Sequence, residues 1–312
     1  MIDPRTSLSR RQFSGAALAA TAGAVAATRS WSRLAAAPSA TVDGQAGPRR
    51  YCAFIKFLQE LSYDELAERI AELGFDGVEA TVRTADGYLK PATAAVELPK
   101  FKRALAKQGL EITILTTDIL SADQPEAETT LRAAADNGVT HYRIGFHRYD
   151  VKQPIEPQLE ALRPTIDALA ALNRKLGISA LYQNHCGATF VGATFWDLRS
   201  LLKDVPPEEI GCVYDLRHAM VEAGEAWPLL YQLIRPHVQA YSVKDFVWSK
   251  GKSAHAALGD GLLDRRFYQE LAKSEFAGPI SVHVEYLKPG PAEEHLAALQ
   301  RDFDTLREWM KG

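Results

Sequence analysis

Short apolar runs alternate with longer amphipathic runs along most of the chain, from Tyr51 to the C-terminus. The short runs have the length and apolar character of buried strands, and the long runs repeat apolar residues at helical spacing. The predicted strands cover residues 51–57, 77–82, 111–116, 141–145, 178–183, 211–214, 238–244 and 280–286. The predicted helices cover about residues 62–73, 99–107, 126–137, 157–176, 194–203, 226–234, 263–273 and 292–310.

Glycines follow several of the predicted helices, namely Gly74, Gly109, Gly138, Gly177 and Gly278. Glycine is favoured there because the left-handed backbone that closes a helix carries no penalty without a Cβ. Alternation of strand, helix and glycine predicts parallel strands joined by crossover helices. Eight such units in roughly 260 residues favour an α/β fold of the (β/α)8 TIM barrel type over the alternative, an open doubly wound sheet.

The first forty residues follow a different pattern. Arg10 and Arg11 precede an uncharged, alanine-rich stretch at residues 14–28, and small residues follow at 35–40. This order is typical of a cleavable twin-arginine export signal. The two alternatives are a membrane anchor and a disordered tail. As an anchor, the stretch is too short and too weakly apolar to cross about 30 Å of hydrocarbon. We therefore predict a signal peptide at 1–40, a linker at 41–50, a barrel at 51–312 and a periplasmic or otherwise exported location.

Composition narrows the range of partners. The chain has 312 residues, of which 46% are hydrophobic and 24% charged, as in soluble globular proteins. Its net charge is −3, and removal of residues 1–40, with five arginines and one aspartate, leaves −7. Proteins that bind nucleic acid non-specifically are usually basic. We expect a small-molecule substrate, no nucleic acid, and no membrane after export.

The three cysteines are Cys52, Cys186 and Cys212, and they lie far apart in the sequence. They have no metal-ligand spacing, and an odd number cannot all pair within one chain. The prediction is that each is a buried, free cysteine that packs as a small apolar residue. Nucleotide-binding loops are not indicated either, because neither G-x-G-x-x-G after the first strand nor G-x-x-x-x-G-K-[ST] occurs in the sequence.

Every predicted strand ends in polar or ionisable residues. In a TIM barrel these ends meet at one face, where function is located, and residues i and i+2 of a strand share a side. For any single residue, a structural hydrogen bond is the alternative explanation, but a full ring of such residues predicts an active site. In chain order the ends carry Lys56, Glu79, Arg83, Thr116, Thr117, Asp118, Arg143, His147, Gln183, His185, Asp215, His218, Ser242, Lys244, Asp245, His283 and Glu285.

Several of these segments resemble successive blocks of the xylose isomerase-like TIM barrel family, which includes sugar-phosphate isomerases and epimerases, inosose dehydratases and endonuclease IV-type nucleases. The resemblance runs from Tyr51 to the C-terminus, and each block is short. The blocks are Leu73-Gly74-Phe75-Asp76-Gly77-Val78-Glu79, Tyr182-Gln183-Asn184-His185, Val213-Tyr214-Asp215-Leu216-Arg217-His218, Ser242-Val243-Lys244-Asp245, Leu258-Gly259-Asp260-Gly261 and Gly278-Pro279-Ile280-Ser281.

The metal positions depart from the family pattern. Metal-dependent epimerases of this type carry glutamate, aspartate, histidine and glutamate after the fifth to eighth barrel strands, where this chain has Gln183, Asp215, Ser242 and His283. The loss of carboxylates weakens attraction for a hard cation. Two interpretations stay open. In one, a divalent Mn, Zn, Co or Mg ion is held by Asp215 and His283, with His185, Gln183 or Glu285 added; in the other, the site is metal-free.

The resemblance implies an exported sugar isomerase or epimerase that removes a proton next to a carbonyl of a carbohydrate or polyol. This chemistry needs a base and a group that stabilises the developing oxyanion. Glu285 and Glu79 are candidate bases, and Lys244, Lys56 and Arg143 are candidate oxyanion partners. We predict further catalytic or substrate-binding roles for His185, Arg83, Gln183, His218, His283 and Trp248. Tyr182, Trp227 and Phe246 are candidates, with Trp248, for an apolar wall on which a sugar ring stacks.

Lys244 has two predicted states. Desolvation at a strand end predicts an amine with a lowered pKa, and the alternative is a salt bridge to Asp215, Asp245 or Glu285. Two other functions also remain open: a lyase or hydratase that eliminates water or a β-substituent from a keto sugar, and a non-catalytic sugar-binding barrel. Members of this family often dimerise, so the resemblance is compatible with a homodimer.

Overall fold

The computed structural model describes residues 49–311, and the predicted signal peptide and most of the linker lie outside them. The strands are β1 (Arg50–Phe54), β2 (Gly77–Val82), β3 (Glu111–Thr117), β4 (His141–Arg143), β5 (Ser179–Gln183), β6 (Ile210–Asp215), β7 (Val238–Val243), β8 (Asp245–Ser249), β9 (Lys252–Ala256) and β10 (Pro279–Val282). Eight of them form a closed parallel barrel in the order β1-β10-β7-β6-β5-β4-β3-β2, and β8 and β9 form a separate antiparallel hairpin. The predicted TIM barrel is confirmed.

Helices cover the outside of the barrel. They are α1 (Tyr63–Glu72), α2 (Ala94–Lys107), α3 (Ala127–Asp136), α4 (Ile155–Leu176), α5 (Trp196–Leu202), α6 (Leu216–Ala223), α7 (Trp227–Ile234), α8 (Arg265–Ala272) and α9 (Ala292–Trp309). Their boundaries follow local chemistry. Ser62 and Glu65 form a capping box that starts α1, whereas α4 ends where Gly177 adopts a left-handed backbone. No helix among residues 49–311 is long and apolar enough to span a membrane.

Apolar side chains fill the barrel interior below the polar ring. A small buried cluster contains Cys52, Ile114, Leu181, Val213 and Ala240, which belong to β1, β3, β5, β6 and β7. The larger cluster packs the outer face of the sheet against the helices. Side chains alternate along a strand, so residues two positions apart point to the same side. The residues that follow Ile114, Leu181, Val213 and Ala240 by two positions therefore also point into the barrel, one layer nearer the carboxyl ends. These are Thr116, Gln183, Asp215 and Ser242.

The sequence missed two elements, the hairpin β8–β9 and helix α6. It also placed the ends of some strands too late: β1, β4 and β10 end at Phe54, Arg143 and Val282, instead of at residues 57, 145 and 286. Strand pairing stops at these points and the chain turns into loops over the barrel mouth. Lys56, His283 and Glu285 therefore belong to those loops.

Candidate functional site

Polar side chains converge at the carboxyl ends of the barrel strands and form two groups. The first group surrounds Glu79 of β2, and the second surrounds Lys244, which lies between β7 and β8. His283 and Ser242 lie between the two groups, with 3.5 Å between His283 Nε2 and Ser242 Oγ. The two groups are therefore joined through His283, Ser242 and Gln183 into one network.

Glu79 is enclosed by four donors. Arg143 Nη1 lies 3.1 Å from Oε1, and His283 Nε2 lies 2.9 Å from Oε2. Thr116 and Ser281 donate hydroxyl hydrogen bonds to the two oxygens. Burial raises the pKa of Glu79, but Arg143 and His283 outweigh it and hold the pKa well below its usual range. The carboxylate is thus ionised and fully paired, an arrangement that orients Arg143 and His283.

Lys244 connects two carboxylates. Its Nζ donates to Glu285 Oε2 at 2.9 Å and lies 3.2 Å from Asp215 Oδ2. Burial lowers the pKa of Lys244, but Asp215 and Glu285 more than compensate, so the pKa is raised above its ordinary value. The lowered pKa that desolvation alone predicts is therefore wrong, because the salt bridge dominates. The partners are Asp215 and Glu285; Asp245 points elsewhere.

Glu285 is the accessible carboxylate of the network. Its side chain is 24% exposed, compared with 1% for Glu79 and 0% for Asp215. Burial raises the pKa of Glu285, but Lys244 and then His283 hold it well below its usual range. Of these three carboxylates, Glu285 is therefore the one that a molecule entering the barrel mouth can reach, and the buried ammonium of Lys244 is its ion-pair partner.

The residues at the family's four metal positions bind one another. Gln183 Nε2 donates to Asp215 Oδ2 at 2.9 Å and lies 3.3 Å from Ser242 Oγ. Lys244 approaches the same Asp215 oxygen, and His283 Nε2 is directed at Glu79. A divalent ion here would face an ammonium group and an amide N–H where it needs oxygen lone pairs. The donor set of Gln183, Asp215, Ser242 and His283 therefore does not fit a hard divalent cation.

A third set of polar side chains lies beside Asp215, at the ends of β5 and β6. His185 Nδ1 lies 2.8 Å from the carbonyl oxygen of Cys186. Cys186 Sγ lies 3.1 Å from His218 Nδ1, and Arg217 Nη1 lies 2.9 Å from both of these atoms. Burial lowers the pKa of both histidines, that of His218 well below its ordinary value. Both rings are consequently neutral at pH 7.

The cysteine prediction holds for two of three residues. Cys52 and Cys212 are buried, but Cys186 is only partly buried and its sulfur accepts a hydrogen bond from Arg217. Cys186 lies in a loop over the mouth instead of in the core. The sequence indicates this place, because Cys186 directly follows the polar strand end Gln183-Asn184-His185.

The remaining predicted binding residues lie around the rim. Lys56 Nζ lies 3.5 Å and Arg83 Nη1 3.8 Å from Asp86 Oδ2. Burial lowers the pKa of Arg83. Lys56 and Asp86 line a cavity of about 420 Å³ over the loops that follow β1, β2 and β10. Neither Lys244 nor Glu285 lines this cavity.

The hairpin β8–β9 forms another side of the mouth. Trp248 lies on it with 53% of its surface exposed, whereas Phe246, Tyr182 and Trp227 are buried and pack in the core. His255 Nδ1, on β9, lies 3.8 Å from Glu285 Oε2. Burial lowers the pKa of His255 to about 4. Among these four aromatic residues, only Trp248 has a large solvent-exposed face.

Residues 67–309 match the family described as xylose isomerase-like TIM barrel. The chain belongs to this family. The predicted resemblance is therefore confirmed, with the changed ligand positions described above. A comparison with curated proteins gives no match.

Solved structures with the same fold include enzymes of more than one reaction type. The 3-keto-D-glucoside 4-epimerase of E. coli is 14% identical, with 83% of this chain and 99% of that chain covered and a TM-score of 0.64. The probable 3-DHS dehydratase of Bacillus anthracis is 15% identical, with 83% and 98% covered and a TM-score of 0.64. The IOLI protein with a bound zinc atom is 17% identical, with 84% and 98% covered and a TM-score of 0.65.

Proposed function

We propose that the chain is an isomerase or epimerase that acts on a carbohydrate or related polyol by proton transfer next to a carbonyl group. Family membership and the fold shared with a 3-keto-D-glucoside 4-epimerase support this reaction class. The network of acidic, basic and cationic side chains at the carboxyl ends of the strands supports an active site at that end of the barrel.

The ammonium group of Lys244 carries the proposal. An ammonium has three N–H donors, and among the described residues two of them are taken, by Glu285 and Asp215. The proposal assigns the third to a substrate carbonyl oxygen. Because the pKa of Lys244 is raised, the group stays charged at neutral pH and stabilises the enediolate oxygen that forms when the neighbouring carbon loses its proton.

Glu285 is the proposed base. It is the accessible carboxylate of the network, and it lies next to the oxyanion partner. Its lowered pKa makes it a weak base in the free protein. Substrate binding excludes water and draws Lys244 toward the substrate oxygen, and both effects raise the proton affinity of Glu285 at the moment of transfer.

Other residues of the ring bind and orient the sugar in this proposal. Gln183, Ser242 and His218 offer amide, hydroxyl and imidazole groups for hydroxyl recognition. Trp248 offers a partly exposed apolar face for the sugar ring. Glu79 positions Arg143 and His283 through its ion pairs and does not itself take the substrate proton, since all of its strong acceptor sites are occupied.

A lyase or hydratase acting on a keto sugar is the second candidate, because abstraction of the proton next to the carbonyl is its first step too. The dehydratase with the same fold supports this alternative. The neutral imidazole of His185, near the barrel mouth, offers a proton acceptor and donor for a departing hydroxyl group. Export through the twin-arginine route remains part of the proposal and rests on residues 1–40 alone.

The test is turnover of keto sugars by the wild type and by Lys244→Met, with products separated by chromatography and identified by NMR. We expect kcat of Lys244→Met to fall by about 100- to 1,000-fold, as for loss of an oxyanion donor. Lys252→Met, at an exposed position in β9, is the matched control and should keep full activity. Equal kcat in all three proteins would refute the role of Lys244, and sugar binding without turnover would indicate a binding protein.

A further inference from the structure

Two imidazoles and a thiol lie together at the ends of β5 and β6. One ring nitrogen of His185, one of His218 and the sulfur of Cys186 lie within 4.8 Å of one another. In a tetrahedral zinc site, bonds of about 2.0–2.3 Å hold neighbouring ligand atoms roughly 3.3–3.8 Å apart. Small side-chain rotations would bring the three atoms to that spacing.

The hydrogen bonds set both rings for coordination. The carbonyl of Cys186 can only accept, so the proton of His185 is on Nδ1 and its Nε2 lone pair is free to bind a cation. The guanidinium of Arg217 can only donate, so His218 Nδ1 is an acceptor and its proton is on Nε2, 3.5 Å from Asp215 Oδ2. Metal-bound histidines have this arrangement, with the second ring nitrogen directed at a carbonyl or carboxylate.

The guanidinium of Arg217 contacts two of the three residues, Cys186 and His218. Arg217 Nη1 lies 2.9 Å from Cys186 Sγ and 2.9 Å from His218 Nδ1. His218 is 1% exposed, and its Nε2 makes no hydrogen bond within the described part of the chain. The sulfur of Cys186 and the Nδ1 lone pair of His218 thus both accept from one cationic group, at a site where His218 is buried and His185 and Cys186 are partly buried.

We propose that His185, Cys186 and His218 form a binding site for a divalent transition metal, with Zn²⁺ as the best fit, and that the metal takes the place of the Arg217 guanidinium. Burial raises the pKa of the Cys186 thiol, so metal binding releases its proton to solvent. Two imidazoles and the resulting thiolate favour Zn²⁺ or Co²⁺ over Mg²⁺ or Mn²⁺. Its ligands are different residues from Gln183, Asp215, Ser242 and His283, and metal binding can be measured without the proposed reaction. With a metal bound, His185 and His218 are ligands instead of sugar-binding or proton-transfer groups.

Metal binding at this site has consequences for its surroundings. Arg217 Nη2 also lies 3.2 Å from Ser253 Oγ on β9, so displacement of the guanidinium removes a contact between helix α6 and the hairpin. Asp215, which receives Lys244, faces the outer nitrogen of His218. The metal is therefore linked to the Lys244 network through one carboxylate.

The test is titration of the folded, metal-stripped protein with Co²⁺ and Zn²⁺, read by the thiolate-to-cobalt absorption band and by calorimetry. Cys186→Ser should lose the band and weaken affinity by more than about 100-fold, because loss of a ligand costs more than loss of a residue that only hydrogen-bonds to a ligand, which costs about 10- to 100-fold. Arg217→Met should bind at least about tenfold more tightly, since a unit charge next to the ion is removed. His141→Gln, at the start of β4, is the control and should match the wild type.

Alkylation of the wild-type protein provides a second measurement that does not depend on the folding of a variant. Cys186 is partly exposed while Cys52 and Cys212 are buried, so iodoacetamide should modify Cys186 first. Zn²⁺ should slow this reaction at least about tenfold, because the metal-bound sulfur is not free to react. Absence of Zn²⁺ protection, or metal binding that survives Cys186→Ser and is lost in His283→Gln, would overturn the proposal.

Discussion

Asp302, on α9, is a buried acid outside the proposed site. It accepts hydrogen bonds from the backbone of Leu258 at 3.1 Å and from the hydroxyl of Tyr286 at 3.2 Å. Burial outweighs these bonds and raises the pKa of Asp302 from 3.8 to about 6. The folded state therefore holds this proton more tightly than the unfolded state does. Stability from this group is fully present below about pH 4 and is lost as the pH rises through 6.

Asp302→Asn should accordingly stabilise the protein at pH 8 and not at pH 4, because asparagine keeps the accepting oxygen without the buried charge. The expected gain at pH 8 is up to about 3 kcal/mol, measured by urea unfolding at both pH values. Asp304→Asn, exposed on the same helix, is the control and should change little at either pH. A loss of stability at pH 8 would show that the charge of Asp302 is favourable.

At the residue scale, the sequence identified the members of the site but not their pairing. The positions of Lys244, Glu285 and Asp215 after strands place them at the barrel mouth on topology alone. Which carboxylate meets Lys244, and whether Arg143 meets Glu79, depends on the barrel's closure and on side chains that extend across it. For the same reason, the sequence left the pKa of Lys244 open between desolvation and ion pairing, which shift it in opposite directions.

At the element scale, the hairpin β8–β9 depends on Asp245. This buried carboxylate accepts backbone hydrogen bonds from Phe246, Gly259, Gly261 and Leu263. A Cβ on Gly261 would lie only 2.2 Å from Asp245 Oδ1, so the loop approaches the carboxylate more closely than a side chain there permits. Asp245 thus holds the start of the hairpin and the return loop together.

Asp245→Ala should leave four backbone donors without their acceptor and lower the free energy of unfolding by about 3 kcal/mol or more. Limited proteolysis should then cut the hairpin faster than in the wild type. Asp260→Ala is the matched control, because Asp260 lies in the same loop but is exposed and paired with Arg301. Equal stability of the two variants would mean that Asp245 does not anchor this segment.

The two missed elements had local signals that periodicity does not capture. Lys250 and Gly251 both have positive φ and connect Ser249 to Lys252, which is the geometry of a two-residue hairpin turn. Lysine in the first of these positions is unusual, so the turn was not recognised. Helix α6 begins directly after β6, with Asp215 as its N-cap through the backbone N–H of His218. Asp215, which the sequence indicated as a site residue, is therefore also the N-cap of α6.

At the scale of the whole molecule, the barrel was predictable because eight repeats of strand and helix specify it redundantly, so that errors in single boundaries do not change the count. The N-terminal prediction rests on sequence alone. We expect Arg10→Lys combined with Arg11→Lys to keep the protein in the cytoplasm in a precursor form, and the wild type to be exported and cleaved near Ala40. Cell fractionation with intact mass measurement checks this, and a processed protein outside the cytoplasm in both cases would contradict the twin-arginine route.

Deuterium incorporation from D₂O into keto sugars measures transfer of the proton next to the sugar carbonyl. The exchange precedes either epimerisation or elimination, so it does not require knowledge of the final product. We expect exchange at the carbon next to the carbonyl with the wild type, a fall of about 100- to 10,000-fold in Glu285→Gln, and full exchange in the surface control Glu293→Gln. Exchange that continues unchanged in Glu285→Gln would contradict the assignment of the base, and bound sugar with no exchange in the wild type would contradict the function itself.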